Sequence, residues 1–216
     1  MKWMEHNLNS APINQTTKPL MVAEIRAIEQ SGLMAGLALM QRAGEAIADF
    51  VIKVIQPKGA ILVLAGPGNN GGDGLVAANR LRQSGYPLFI WMPVTAHLPD
   101  DAQQALRSWM VAGGQVSGVL PANKPALVID GLFGIGLNRA LGSPWQEAID
   151  TVNEWNIPVL SVDIPSGLEA DSGNHLGRPI RATWTIAMIA PTQALFSQSG
   201  KPFAGEVFVE RLGLKA

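Results

Sequence analysis

Apolar positions along the chain repeat with two periods, and the alternation between them predicts the fold. Between residues 21 and 55 the period is helical. Met21, Ile25 and Ile28 mark one face, and after Gly32 a second stretch places Met40, Ala43, Ile47, Val51 and Val54 at spacings of three and four. Gln56-Pro57-Lys58-Gly59 ends it. Short apolar runs then alternate with helical patterns. Ala60–Ala65 reads as a buried strand, Gly72–Ser84 as a helix stopped by Gly85, and Leu88–Met92 as a second strand. Asp100–Ala112 reads as a helix closed by Gly113-Gly114, and Ala126–Phe133 contains a third strand. Ser143 reads as an N-cap, with Pro144 at the first helical position and Gln146 completing a capping box, for a helix reaching about Trp155. Val159–Ile164, Thr183–Ala190 and Glu206–Leu212 supply the fourth, fifth and sixth strands.

Strands without polar alternation are buried on both faces, as parallel sheets require. The expected fold is therefore α/β: a three-layer α/β/α, Rossmann-like, doubly wound, mostly parallel sheet in a single domain spanning residues 1–216. Right-handed crossovers place every carboxyl end of such strands on one rim, where ligands bind. Composition agrees. Charged residues are 15% of the chain, against about 25% in a typical domain. That points to a doubly covered sheet, or to an oligomer interface replacing charged surface. A net charge of −1, with no run of Lys or Arg, argues against nucleic acid as a partner. Without cysteine, disulfides and thiolate metal sites are excluded. The first ~20 residues are polar and aperiodic, an arm expected to be loose or ordered by a partner subunit. With no secretory signal and no apolar run of about 18 residues, no membrane span is expected and a cytoplasmic enzyme is the default.

The chemistry should follow the strands. After the first comes Gly66-Pro67-Gly68-Asn69-Asn70-Gly71-Gly72-Asp73-Gly74. Gly66, Gly68 and Gly71 fit a phosphate loop, in which glycines admit close approach and a helix N-terminus presents free N–H groups. A tight strand-to-helix turn is the plainer alternative. An ordinary NAD dehydrogenase fits poorly, because the second strand ends Ile90-Trp91-Met92-Pro93 and lacks the acid that holds the ribose. No Gly-Lys-Ser/Thr follows the loop either, which removes the P-loop reading. The third strand ends in Asp130 and leads to a loop with Gly134 and Gly136, where Arg139 either meets a phosphate or is a solvated charge. The fourth carries Asp163, flanked by apolar residues, then Pro165-Ser166-Gly167. Asp163 is either a general acid or base at the rim, or a capping carboxylate. Asn70, Asp130 and Ser166 are all oxygen donors, which suits a hard or alkali cation rather than zinc. His6, His97 and His175 stand apart in arm or loop contexts and are assigned no role. Trp109, Trp145 and Trp155 lie on helical faces and read as core or interface.

Five segments together carry a family resemblance: Met40-Gln41-Arg42-Ala43-Gly44, GPGNNGGDGLVAANRL (66–81), VIDGLFGIGL (128–137), VLSVDIPSGLEADSG (159–173) and GEVFVERLGL (205–214). In their order and over residues 20–214, the chain resembles the NAD(P)HX epimerases, the YjeF N-terminal domain family. The resemblance implies an isomerase that interconverts the R and S forms of hydrated NADH and NADPH, in metabolite repair. It implies contacts to the dinucleotide from Asn69, Asn70, Gly71, Gly72 and Asp73. It implies further contacts from Gly134, Ile135, Gly136, Leu137, Asn138, Arg139, Ala140 and Asp163. One potassium ion per subunit is expected on Asn70, Asp130 and Ser166. A homodimer through the N-terminal helices is expected, as is functional coupling to an ADP- or ATP-dependent dehydratase that this chain has no room to contain. Asp163 is the candidate catalytic residue. It would protonate the departing hydroxyl and then take a proton from the returning water. Relatives of this domain that act as non-catalytic nucleotide-binding or scaffold modules are the alternative, although Asn69, Asn70, Asp73, Asp130 and Asp163 are all intact. Two positions depart from the family. Ile135 stands where threonine is common, and Thr192 stands where a lysine often lies, with Lys201 nearby to compensate.

Overall fold

The computed structural model describes residues 11–12 and 17–214. Its centre is one seven-stranded sheet. In chain order the elements are β1 (Ala11–Pro12), α1 (Val22–Met34), α2 (Leu39–Val54), β2 (Ile61–Ala65), α3 (Asn69–Gln83), β3 (Leu88–Trp91) and α4 (Asp100–Val111). They continue with β4 (Leu127–Gly131), α5 (Trp145–Trp155), β5 (Val159–Val162), β6 (Trp184–Met188), a 3₁₀ turn (Gln193–Leu195), α6 (Lys201–Ala204) and β7 (Glu206–Glu210). The strand order is β1-β7-β6-β5-β4-β2-β3; β2 to β7 are mutually parallel and only β1 is antiparallel.

The unbroken apolar strands are explained by the layers. Ile61, Val63 and Ala65 pack with α2, α3 and α4 on one face, while Leu62 and Leu64 pack with Ala148, Ile149 and Val152 of α5 on the other. Every residue of β2, β4 and β5 is buried. Towards β7, a third cluster joins Val207 and Val209 to Leu195 and Ala204. After β2 the chain steps outward to β3, then returns to lay β4 on the other side of β2. The strand order thus reverses between β2 and β4, and a crevice opens where their carboxyl ends diverge.

Four local expectations are corrected. Gly32 does not divide the N-terminal helices. It is buried inside α1, where a Cβ would meet a Leu214 methyl at 2.8 Å, and the break falls at Gly36, whose φ of +75° suits glycine. α3 begins at Asn69 rather than Gly72, because the glycines there serve close packing within a helix; a Cβ on Gly72 would meet Met40 Sδ at 2.7 Å. The capping box at Ser143 does not form. Pro144 is itself the N-cap, Ser143 Oγ donates to Glu147 Oε1 at 2.6 Å, and the Gln146 side chain binds the Arg178 backbone. In the arm, Ala11 and Pro12 pair with Val209 and Phe208 of the same chain, so its own sheet edge orders them rather than a partner. The other arm residues named from sequence, 1–10 with His6 and 13–16, lie outside the described residues.

Candidate active site

The crevice depends on close backbone contact. Gly66 ends the loop side of β2 and donates its N–H to Gly131 O at 3.0 Å. A Cβ there would sit 1.7 Å from Leu132 O, and one on Gly71 would sit 2.0 Å from Gly66 O. Only glycine permits β2, β4 and the first turn of α3 to approach this closely. Gly68 caps α3 without any side-chain hydrogen bond, so the first-turn amides remain free for an anion.

Above this turn lies a cavity of about 450 Å³, within the usual range for small-molecule sites. Asn69, Asn70 and Asp73 line it from α3, Asp163 from the end of β5, and Gly134, Ile135, Gly136, Leu137, Asn138 and Arg139 from the loop after β4. Ten of the positions named from sequence therefore share one cavity. Gly71 and Gly72 are buried in the wall behind it, and Ala140 is exposed beyond the lining. Asp130 and Ser166 lie behind the cavity, fully buried.

Asp130 is enclosed by hydrogen bonds. Its Oδ1 accepts from Ser166 Oγ at 2.7 Å and from Leu132 N at 3.3 Å; its Oδ2 accepts from Ser161 Oγ and Ser166 N, both at 2.9 Å. Burial pushes its carboxyl up, and the Ser166, Ser161 and Leu132 donors oppose that shift. Ser166 Oγ also accepts from Phe133 N at 3.0 Å, tying the loop after β4 to the turn after β5. Asn70 reaches the same corner. Its Nδ2 donates to Val162 O at 3.3 Å, and its backbone oxygen lies 2.9 Å from where a Gly131 Cβ would sit. Among the described residues, no cationic side chain offsets the burial of Asp130. A buried carboxylate held by neutral donors alone, with amide and carbonyl oxygens beside it, fits a hard monovalent cation.

Asp163 faces the cavity instead. Its backbone is in the left-handed region at φ +71°, anchored by Asp163 N donating to Ile186 O at 2.7 Å. Strain of this kind collects at functional sites. Ile189, at the next strand end and also lining the cavity, has φ +68°. Oδ2 of Asp163 accepts from Ile135 N at 2.9 Å. Burial raises its carboxyl to about 6, against the lowering effect of the Ile135 and Met188 amides. Asp73 is raised further, well above the usual carboxylate range, by burial first and then by Asp163, Glu29 and Asp101. Gly134 makes room for this group, since its Cβ would fall 2.5 Å from Asp163 Oδ2 and 3.4 Å from Asn70 Oδ1. A carboxyl poised near neutrality in a half-enclosed, anion-receptive cavity can give and take a proton at a bound ligand.

Arg26 and Glu29 of α1 and Asp101 of α4 also line the cavity, and sequence reasoning missed all three. Their only signal was charge on helices, indistinguishable in sequence from a solvated face. His97 and His175 are exposed and do not line the cavity. Trp109 is buried in the core, and Trp145 and Trp155 pack against the cluster around α5. No helix among the described residues is long and apolar enough to cross a membrane.

Comparison with known proteins places these features in a family. The family described as YjeF-related protein N-terminus matches residues 36–194. The chain is 52% identical over 198 residues to the NAD(P)H-hydrate epimerase of Bordetella parapertussis, covering 89% of this chain and 87% of that protein. It is 49% identical over 196 residues to the NAD(P)H-hydrate epimerase of Achromobacter xylosoxidans, covering 89% and 94%. It is 35% identical to the bifunctional NAD(P)H-hydrate repair enzyme Nnr of Thermosynechococcus vestitus, covering 85% of this chain and 37% of that one. Among solved structures, yeast ynu0 shares the fold, with a TM-score of 0.73, 24% identity and 82% of each chain covered.

Proposed function

The chain belongs to the YjeF-related protein N-terminus family, and from that premise we infer its reaction: it is an isomerase that interconverts the R and S forms of hydrated NADH and NADPH. In these hydrates a hydroxyl sits on the ring carbon beside nitrogen. Protonating that hydroxyl lets the nitrogen lone pair expel it as water. The resulting iminium is planar, and water returning to the other face gives the opposite epimer. The demand on the protein is a proton donor that becomes a proton acceptor, held against a ring whose pyrophosphate is anchored elsewhere.

Asp163 fits that demand. Its carboxyl faces the cavity and is raised to about 6, so near neutral pH both forms are populated. The Ile135 and Met188 amides steady the carboxyl at the cavity wall, where it can meet the ring. The first-turn amides of α3 and the loop from Gly134 to Arg139 would hold the dinucleotide, with Asn69, Asn70 and Asp73 closing the α3 side. Asn70, Asp130 and Ser166 would hold one potassium ion per subunit. When bound, that ion supplies positive charge that neutralises Asp130 and steadies both loops. Two further parts of the proposal concern setting. The exposed Met21, Leu33 and Met34 around α1 support a homodimer contact on that helix, and a cytoplasmic location goes with the repair role. The fusion form among the relatives supports coupling to an ADP- or ATP-dependent dehydratase.

One observation carries the assignment of chemistry: a cavity-facing carboxyl at the strand-order reversal, pinned by a loop amide. The test uses heat-damaged NADPH and an S-specific dehydratase with ATP. Once the S form is consumed, adding this protein should release the remaining R form much faster than spontaneous interconversion. An unchanged rate would contradict the proposal.

A further inference from the structure

The missing lysine at Thr192 leaves a question of charge. Lys201 does not answer it, because it is exposed on α6 and does not line the cavity. Thr192 is 1% exposed, is not part of the cavity lining, and its Oγ1 has no hydrogen-bond partner. Among the described residues, the cavity carries four acids, Glu29, Asp73, Asp101 and Asp163, and only two cations, Arg26 and Arg139. Burial favours the neutral form of Asp73 and raises Asp163, and Glu29 and Asp101 are matched in number by the two arginines, so the lining offers no surplus of positive charge to a pyrophosphate bearing two negative charges. The α3 amides supply part of the attraction such a ligand needs, and the charge of a guanidinium facing the cavity can supply more.

We propose that Arg26 is that charge: it grips the pyrophosphate of the substrate from α1, in place of a cation at residue 192. This assignment rests on the epimerase reading above. Three observations place it. The Arg26 guanidinium lies against the loop after β4, with Nη2 3.2 Å from where a Gly136 Cβ would sit. Its charge reaches the Asp163 carboxyl and lowers it, so it stands on the reactive side of the cavity. Among the described residues it makes no hydrogen bond and no ion pair, so its planar fork of donors is available. Arg139 lies at the other end of the same loop, and Arg26 completes a clamp across Gly136.

The test measures binding of ADP-ribose and adenosine to the intact protein by calorimetry, beside the kinetics. Arg26 is exposed on a helix, so Arg26→Ala should leave Tm within about 2 °C. It should weaken ADP-ribose binding about 10- to 100-fold and leave adenosine binding, which involves no pyrophosphate, unchanged. Arg26→Lys should recover part of the loss. KM for hydrated NADPH should rise by a similar factor while kcat stays within about threefold. The salt dependence of ADP-ribose binding should flatten in the alanine variant. Wild-type affinity for ADP-ribose in Arg26→Ala, or an equal loss for adenosine, would overturn the assignment while wild-type epimerisation stands. A wild-type protein that neither epimerises nor binds ADP-ribose would instead overturn the reading beneath it.

Discussion

Asp130 and Asp163 close neighbouring parallel strands of one sheet, yet their surroundings are opposite. Asp130 receives four hydrogen bonds, two from side-chain hydroxyls and two from backbone amides, and is 0% exposed. Asp163 stands one strand over, in strained backbone, with Ile135 N on one oxygen and a cavity before it. Both carboxyls are raised by burial, but of the two only Asp163 lines the cavity. The contrast shows that a perturbed carboxyl is not by itself a reactive one. Access and spare hydrogen-bonding capacity separate a carboxylate that builds the site from one that works in it.

Substitution at the two positions should therefore fail in different ways. The largest expected effect is Asp163→Asn, which should lower kcat about 10²- to 10⁴-fold while ADP-ribose still binds, as stopped-flow or coupled kinetics would show. Retention of more than a tenth of the wild-type rate would break the contrast. Asp130→Asn should act on folding instead. Turning an amide NH₂ toward donors already in place should cost about 2–4 kcal/mol, readable by denaturant titration. An equally stable Asp130→Asn protein would show that the four-donor cage is not a structural keystone.

Two smaller effects sharpen the picture. Gly134→Ala places a methyl 2.5 Å from Asp163 Oδ2, so that carboxyl must shift; kcat should fall about tenfold, with a Tm change of only a few degrees. The last is a dependence on pH. The folded carboxyl of Asp163 sits at about 6, above the unfolded value of ~3.9, so the stability it contributes is full below about pH 4 and is lost as pH rises through 6. Asp163→Asn cannot ionise and escapes that loss. It should melt about 2–5 °C above wild type at pH 8 and level with it at pH 4, by calorimetry. A gain that is the same at both pH values would deny the raised carboxyl.

Much of this architecture is legible in the amino-acid sequence. Strands buried on both faces have no polar residue to interrupt them, so β2, β4 and β5 stand out as apolar runs. The glycine-rich loop is legible because β2, β4 and α3 meet too closely for any side chain, and Asp130 and Asp163 are legible because acids rarely end such runs. The misreadings share a cause. Gly32 and Gly71 resemble loop residues in sequence, yet lie inside helices, Gly32 against Leu214 and Gly71 against Gly66 O, contacts that the local sequence does not announce. Ser143 has the right neighbours for a capping box, but tertiary contacts at Arg178 claim Gln146. Arg26, Glu29 and Asp101 are invisible as site residues, because a charge on a helix gives no sign of what the fold will place opposite.

The most direct test compares wild type with Asp163→Asn under one set of conditions: hydrated NADPH, excess S-specific dehydratase and ATP, followed by recovery of NADPH absorbance after the S form is exhausted. Wild type should drain the R form in a fast phase proportional to its concentration, and the variant should leave only the spontaneous drift although it binds ADP-ribose. Matching fast phases from the two proteins would contradict the role given to Asp163.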